Sequence, residues 1–178
     1  MPNSQYRRRE LTYKIVLTAI LFALAIVLSM VENMITPAQL FAGVKLGLSN
    51  IVTMYCLFFM GVKPTAALVM LKAFFTLLTR GLIASMLALT GGVSSVLIMV
   101  LLLWLGRGKI SYLIISVAGA VAHNTGQLLL ASWLTKSAYT LYYFPILLLS
   151  GVGAGVVTGI TLRAVMPAIK RVSEYRPK

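Results

Sequence analysis

The chain contains no aspartate, and its only acids are Glu10, Glu32 and Glu174. Enzymes of prenyl diphosphate synthesis and of phosphoryl transfer hold Mg²⁺ with acidic clusters, and three dispersed glutamates build none. The single cysteine, Cys56, excludes an intrachain disulfide and a Cys-based metal site. The single histidine, His123, excludes bis-His haem, and a Ser/His/Asp triad fails for want of the acid. No GxxxxGK[ST] phosphate loop occurs, so ATP-driven work falls to another polypeptide. The expected role is therefore binding or transport, not catalysis, with no metal and no cofactor in this chain.

Apolar residues are what the chain has in abundance. Of 178 residues, 60% are hydrophobic and 11% charged, with a mean hydropathy of +0.94; a soluble domain carries roughly 25% charged residues. Apolar stretches recur from 11 to 166 and leave no room for a separate soluble domain. The expected class is an all-α integral membrane protein, multi-pass, in the bacterial cytoplasmic membrane. The formal charge of +13 does not call for nucleic acid, because most basic residues lie at segment ends. Arg7-Arg8-Arg9 before an apolar run resembles a leader, but the run 15–31 is too long for a signal core and lacks a clean cleavage site. It reads as a retained first helix.

Six spans fit the length a bilayer demands: 11–31, 45–60, 64–79, 94–105, 110–134 and 141–168, with 94–105 short unless extended back. Short basic tails at 1–10 and 169–178 flank this domain of 11–168. One side collects twelve Lys and Arg residues, including Arg7 to Arg9, Lys63, Arg107 and Lys170; the other collects Lys45, Arg80 and Lys136. The positive-inside rule then places both termini in the cytoplasm. Segments 32–44 and 80–93, rich in Gly, Thr, Ser and Pro, read as long outer loops able to cover an outward-facing pocket. No sequence repeat relates the two halves.

Against this background each polar residue is conspicuous. Lys72 stands mid-span in Pro64-TAALVMLKAFFTLLT-Arg80, and a charge at bilayer depth costs at least about 2.5–3.5 kcal/mol. Lys72, Thr76 and Arg80 recur every four residues on one face; Lys45 and Ser49 do the same, with Asn50 beside them. His123 and Gln127 share a face that Asn124 adjoins, and Glu32 ends the first span on the outer side. All these groups fall in the outer half, which implies a shared cavity with an anionic guest. Phe74, Phe75 or nearby Tyr residues would add apolar surface. Competing readings stay open. Arg80 and Lys45 could snorkel to headgroups, Glu32 could pair with either of them, and His123, Asn124 and Gln127 could be interhelical hydrogen-bond glue.

Small residues form a second pattern. Gly151, Gly155 and Gly159 repeat every four residues, a row expected to pack between helices. Ala19 and Ala23 repeat likewise, facing either the interior or a partner subunit. Cys56, between Tyr55 and Leu57, reads as a packing residue.

Val44-Lys-Leu-Gly-Leu-Ser-Asn-Ile51, Ala122-His-Asn-Thr-Gly-Gln127 and the Ala19-xxx-Ala23 helix resemble the Gx transporter family, which carries the name heptaprenyl diphosphate synthase component I. That family is similar to the substrate-binding S components of energy-coupling factor (ECF) transporters. The resemblance covers nearly the whole chain. It implies a six-helix S component that captures a vitamin-like solute from outside, working with a transmembrane T subunit and two cytoplasmic ATPases that use ATP. It also implies that Ala19 and Ala23 dock on the T subunit and that the first loop roofs an outer pocket. The competing function is a non-transporting membrane subunit of a prenyl diphosphate, quinone or flavin-linked electron-transfer assembly. A stand-alone ion-coupled carrier fits poorly, since coupling usually needs intramembrane carboxylates and Glu32 is the one candidate.

Overall fold

Long apolar runs and an absence of strand alternation dictate helices, and the computed structural model, which describes residues 4–35, 47–106 and 110–174, is helical throughout with no strand among them. The helices are α1 (Ser4–Ile35), α2 (Leu48–Met60), α3 (Val62–Arg80), α4 (Leu82–Gly106), α5 (Tyr112–Thr135) and α6 (Phe144–Glu174), the last preceded by a 3₁₀ turn at Ala138–Tyr143. Five of them are long and apolar enough to cross a membrane, and α2 is a shorter apolar helix of 13 residues. Their outer faces match that setting: Leu78, Leu97, Trp104 and Leu149 are each more than 60% exposed, a surface suited to lipid rather than water. The chain has the features of a multi-pass membrane protein.

Single glycines make the sharpest corners. Gly61 alone separates α2 from α3, and Gly81 alone separates α3 from α4. Both have positive φ (87° and 84°) with extended ψ, a conformation that a Cβ strongly disfavours. Each also closes the preceding helix, donating its N–H to Leu57 and Leu77 respectively. Pro64 falls in the first turn of α3, where its missing N–H leaves no bond unmade.

The fourth span departs from expectation. Segment 80–93, read as an outer loop, is helical from Leu82, and α4 runs without interruption through Gly91-Gly92 to Gly106. Glycine and serine break helices where water competes for the backbone. In a membrane nothing replaces the helical hydrogen bonds, so small residues serve close approach instead. Ser85 illustrates this by donating to the Ala73 carbonyl of α3 at 2.8 Å. The other spans are shifted at their ends: α1 and α6 extend beyond 11–31 and 141–168, while α2 begins at Leu48, not 45. The first outer segment, 32–44, is helical to Ile35; its remainder lies outside the described residues, as does Lys45.

Two apolar clusters hold the bundle. One joins Met54, Leu57, Val69, Val96, Met99, Ile115 and Leu162 from five helices. The other packs Leu21 and Ala25 of α1 on Val52, Cys56 and Leu68, where Cys56 is fully buried as a packing residue. The glycine row of α6 packs between helices as expected. A Cβ on Gly155 would lie 2.5 Å from Val117 Cα and one on Gly159 3.0 Å from Leu113 Cα, so α6 rests on the backbone of α5. Gly153 faces open space. Gly155→Ala should therefore cost about 1–3 kcal/mol through overpacking, whereas Gly153→Ala should be neutral or mildly stabilising. Thermal unfolding of the two detergent-solubilised variants separates these outcomes.

Candidate functional site

Because α2 is only about 20 Å long at a helical rise of about 1.5 Å per residue, it cannot fill its side of the bundle, and its N-terminus starts inside the body. Above that end lies a cavity of about 410 Å³, within the roughly 300–1,000 Å³ range of small-molecule sites. Every helix reaches it at one level: the C-terminal parts of α1, α3 and α5 and the N-terminal parts of α2, α4 and α6. Neighbouring helices running in opposite directions bring those parts to one end.

Helix α3 supplies the cations. Lys72 is ten residues after Val62 and eight before Arg80, about 15 Å and about 12 Å from the two ends. Its half-buried ammonium donates to the Ser49 carbonyl at 3.4 Å and the Thr53 hydroxyl at 3.3 Å. Both bonds exceed the usual N–H···O range, so α2 holds the lysine loosely. Thr76 and Arg80 line the same cavity, Arg80 at its exposed rim. Thr76 and Thr79 donate to the Lys72 and Phe75 carbonyls of their own helix at 2.8 and 2.9 Å, which leaves their oxygens as acceptors toward the cavity. Phe75 lines the cavity too. Its ring meets Phe22 of α1 edge-on, with centroids 6.4 Å apart.

The acid sits on the facing element. Glu32, only 4% exposed, accepts a hydrogen bond from the Gly47 backbone N–H at the start of α2. A carboxylate there meets the positive end of the α2 dipole, and the bond ties the end of α1 to the entrance of α2. Ser49 and Asn50 line the cavity one turn in. The remaining wall belongs to α5, with His123, Asn124 and Gln127. Gly91 makes room for it: a Cβ there would lie 2.9 Å from His123 and 2.8 Å from Gln127. Asn124 combines both of its expected roles, since it lines the cavity while its side-chain amide donates to the Leu147 carbonyl of α6 at 2.8 Å.

The structure thus brings together Lys72, Arg80, Thr76, Glu32, Ser49, Asn50, His123, Asn124 and Gln127 around one hollow; Lys45, expected there too, lies outside the described residues. Four polar residues not anticipated join them: Ser29, Thr53, Thr79 and Ser95. Thr53 continues the Ser49 face by four residues and Ser29 precedes Glu32 by three, so helical spacing pointed to both. Ser95 lies within the expected fourth span, 94–105, and α4 turns it toward the cavity. Phe74 does not belong: it is 58% exposed on the outside of the bundle, one step round the helix from Phe75. No tyrosine lines the cavity among the described residues. Ala19 and Ala23 are exposed on α1, on the side away from its buried Leu21 and Ala25. Among the described residues no group of three or more His, Cys, Asp or Glu could hold a metal ion.

An all-helical membrane bundle with a polar hollow at one end defines the class of this protein. The particular family follows from the sequence match: a family model described as heptaprenyl diphosphate synthase component I aligns with residues 21–165, and the chain belongs to that family. Neither the curated proteins nor the solved structures contain a match.

The cavity end and the opposite end should differ in access. Thr79→Cys at the rim should react with a membrane-impermeant maleimide added to intact cells, and Lys63→Cys, exposed at the other end of α3, only after permeabilisation. The native thiol Cys56, 0% exposed, should stay unlabelled. Equal labelling of both introduced cysteines in intact cells would contradict an outward-opening cavity.

Proposed function

We propose that this chain is the substrate-binding S component of an ECF-type importer. It captures a small anionic or amphipathic vitamin-like, isoprenoid or quinone-related solute outside the bacterial cytoplasmic membrane. The observation that carries this reading is the placement of Lys72 near mid-membrane on the wall of a solute-sized cavity, with polar groups from neighbouring helices at the same depth. A charge is kept at that depth when it faces a partner or a cavity, and an anionic guest is what Lys72 and the rim Arg80 together suit. Asn50, His123, Asn124 and Gln127 hydrogen-bond the polar part of the solute, and Phe75 covers its apolar part. The chain itself performs no catalysis and holds no cofactor. Both termini lie in the cytoplasm, a T subunit docks on the exposed Ala19-xxx-Ala23 face, and two ATPases supply the energy. The family name favours a second reading, a non-transporting membrane subunit of a prenyl diphosphate synthase assembly. Co-purification of a synthase without T subunit or ATPases would support that alternative.

Thermal-shift and native mass-spectrometric screening of the purified chain against vitamins, flavins, quinone precursors and prenyl phosphates should yield a ligand. Lys72→Ala should weaken its binding by at least about tenfold, given about 1.5–3 kcal/mol for a hydrogen bond to a charged group. In cells supplied with an energy-coupling module, Ala19→Leu with Ala23→Leu should lower uptake and leave binding intact. Full affinity in Lys72→Ala would remove that residue from the site.

A further inference from the structure

The cavity's walls differ in a way that limits the shape of its guest. On α4 the lining residues Ala84, Ala88 and Gly92 are spaced four apart, with Leu87 beside them, so they form one low strip lying close to the helix backbone and edged by a single bulky side chain. Ala120 of α5 and Ala154 of α6 extend the same low relief. Phe75 is the one phenyl or phenol ring among the described lining residues, and its edge contact with Phe22 fixes its attitude. A smooth wall and a fixed ring suit a flat molecule, since stacking on an aromatic adds about 0.5–1.5 kcal/mol beyond area burial.

Polarity divides the cavity as well. Lys72 and Arg80 can only donate. One of the two Asn124 amide hydrogens goes to the Leu147 carbonyl, which turns the nitrogen toward α6 and leaves Oδ1 as an acceptor for a ligand. Thr76 and Thr79 have spent their protons on their own helix. Cationic donors and neutral acceptors therefore line the same hollow, and a guest carrying only a negative charge would leave the acceptors unmatched. At about 410 Å³ the cavity falls in the lower part of the range for ligand sites.

Building on the solute-binding reading above, we propose that the ligand is a flat, compact molecule. It carries an anionic group that meets Lys72 and Arg80 and a hydrogen-bond donor that meets Asn124 Oδ1 and the threonine oxygens. Ala84 and Ala88 set this specificity by keeping the α4 wall low.

The probe is 6-amino-2-naphthoate, whose fluorescence reports binding to the purified full chain in detergent. Three analogues each lack one feature: 2-naphthoate the donor, 6-amino-2-naphthamide the anion, and 6-hydroxydecahydronaphthalene-2-carboxylate, which keeps a neutral donor, the flat ring. The naphthoate should bind, each analogue should bind at least tenfold more weakly, and farnesyl diphosphate should not displace it. Ala88→Leu should abolish binding while the ligand-free melting temperature is kept; if that variant melts early, Ala84→Val tests the same wall with a smaller group. Analogues binding as tightly as the parent would overturn the proposed class. So would farnesyl diphosphate bound in a Lys72-dependent way, and in both cases the solute-binding reading survives. If no probe of any kind binds, both fall together.

Discussion

An ammonium group cannot rest in hydrocarbon, and the architecture around Lys72 follows from that restriction. Placed near the middle of α3, the side chain is too deep to reach headgroups at either end, at about 12 and about 15 Å. It needs oxygen atoms at its own level. The short α2 provides them, because a helix that begins at Leu48 puts the Ser49 carbonyl and the Thr53 hydroxyl beside the amine. The hollow lies at that end of α2, where Gly47, Ser49, Asn50 and Thr53 line it beside Lys72. Lys72 and the start of α2 thus meet at the wall of one cavity.

Hydrogen bonding within the membrane sorts the remaining polar residues into two kinds. Thr12, Thr18, Thr65, Thr125 and Thr161 each donate to the carbonyl four residues back and so remain inconspicuous on their helices. Ser85, Asn124 and Lys72 instead reach a neighbouring helix. Such bonds contribute roughly 0.6–2 kcal/mol each in a membrane, and their larger effect is to fix which helices are neighbours. Of the second kind, Lys72 and Asn124 line the site. His123 and Gln127 approach α4 because Gly91 lacks a side chain, so a glycine without chemistry of its own decides where two polar groups lie.

Most of the polar site was legible because the background is so uniformly apolar. In a chain with three acids and 16 basic residues, Lys72, Glu32 and the His123–Asn124–Gln127 group stand out at helical spacing, and all of them reach the cavity. What misled was turn chemistry. Rules that treat Gly, Ser and Thr clusters as loops come from chains in water, where an open helix backbone can bond to solvent. For 82–93 they predicted a loop, and the lipid environment reversed the outcome. That misreading hid the strip of Ala84, Ala88 and Gly92, since a loop has no face. Phe74 and Phe75 show a different limit: adjacent residues on a helix point about 100° apart, and composition alone does not say which one turns inward.

The far half of the bundle constrains what the cavity can do. Below its floor, Met54, Leu57, Val96, Met99, Ile115 and Leu162 close around Val69, which belongs both to the lining and to the core cluster. That plug comes from α2, α3, α4, α5 and α6 together, and α5 and α6 cannot part easily, because Gly155 and Gly159 set their backbones in direct contact. Among the described residues, this apolar cluster lies between a solute beside Lys72 and the other end. A channel needs a polar route, and a carrier with a central site needs two halves that rock about it, a motion that this interlocked core and the lack of internal repeats both oppose. Release across the membrane then requires either that the core be prised open or that the body move as a unit. The second costs less, because the outer faces of the helices are almost wholly apolar and lose little by tilting in lipid. The importer component proposed above, a receptor that moves as one body, is compatible with this packing.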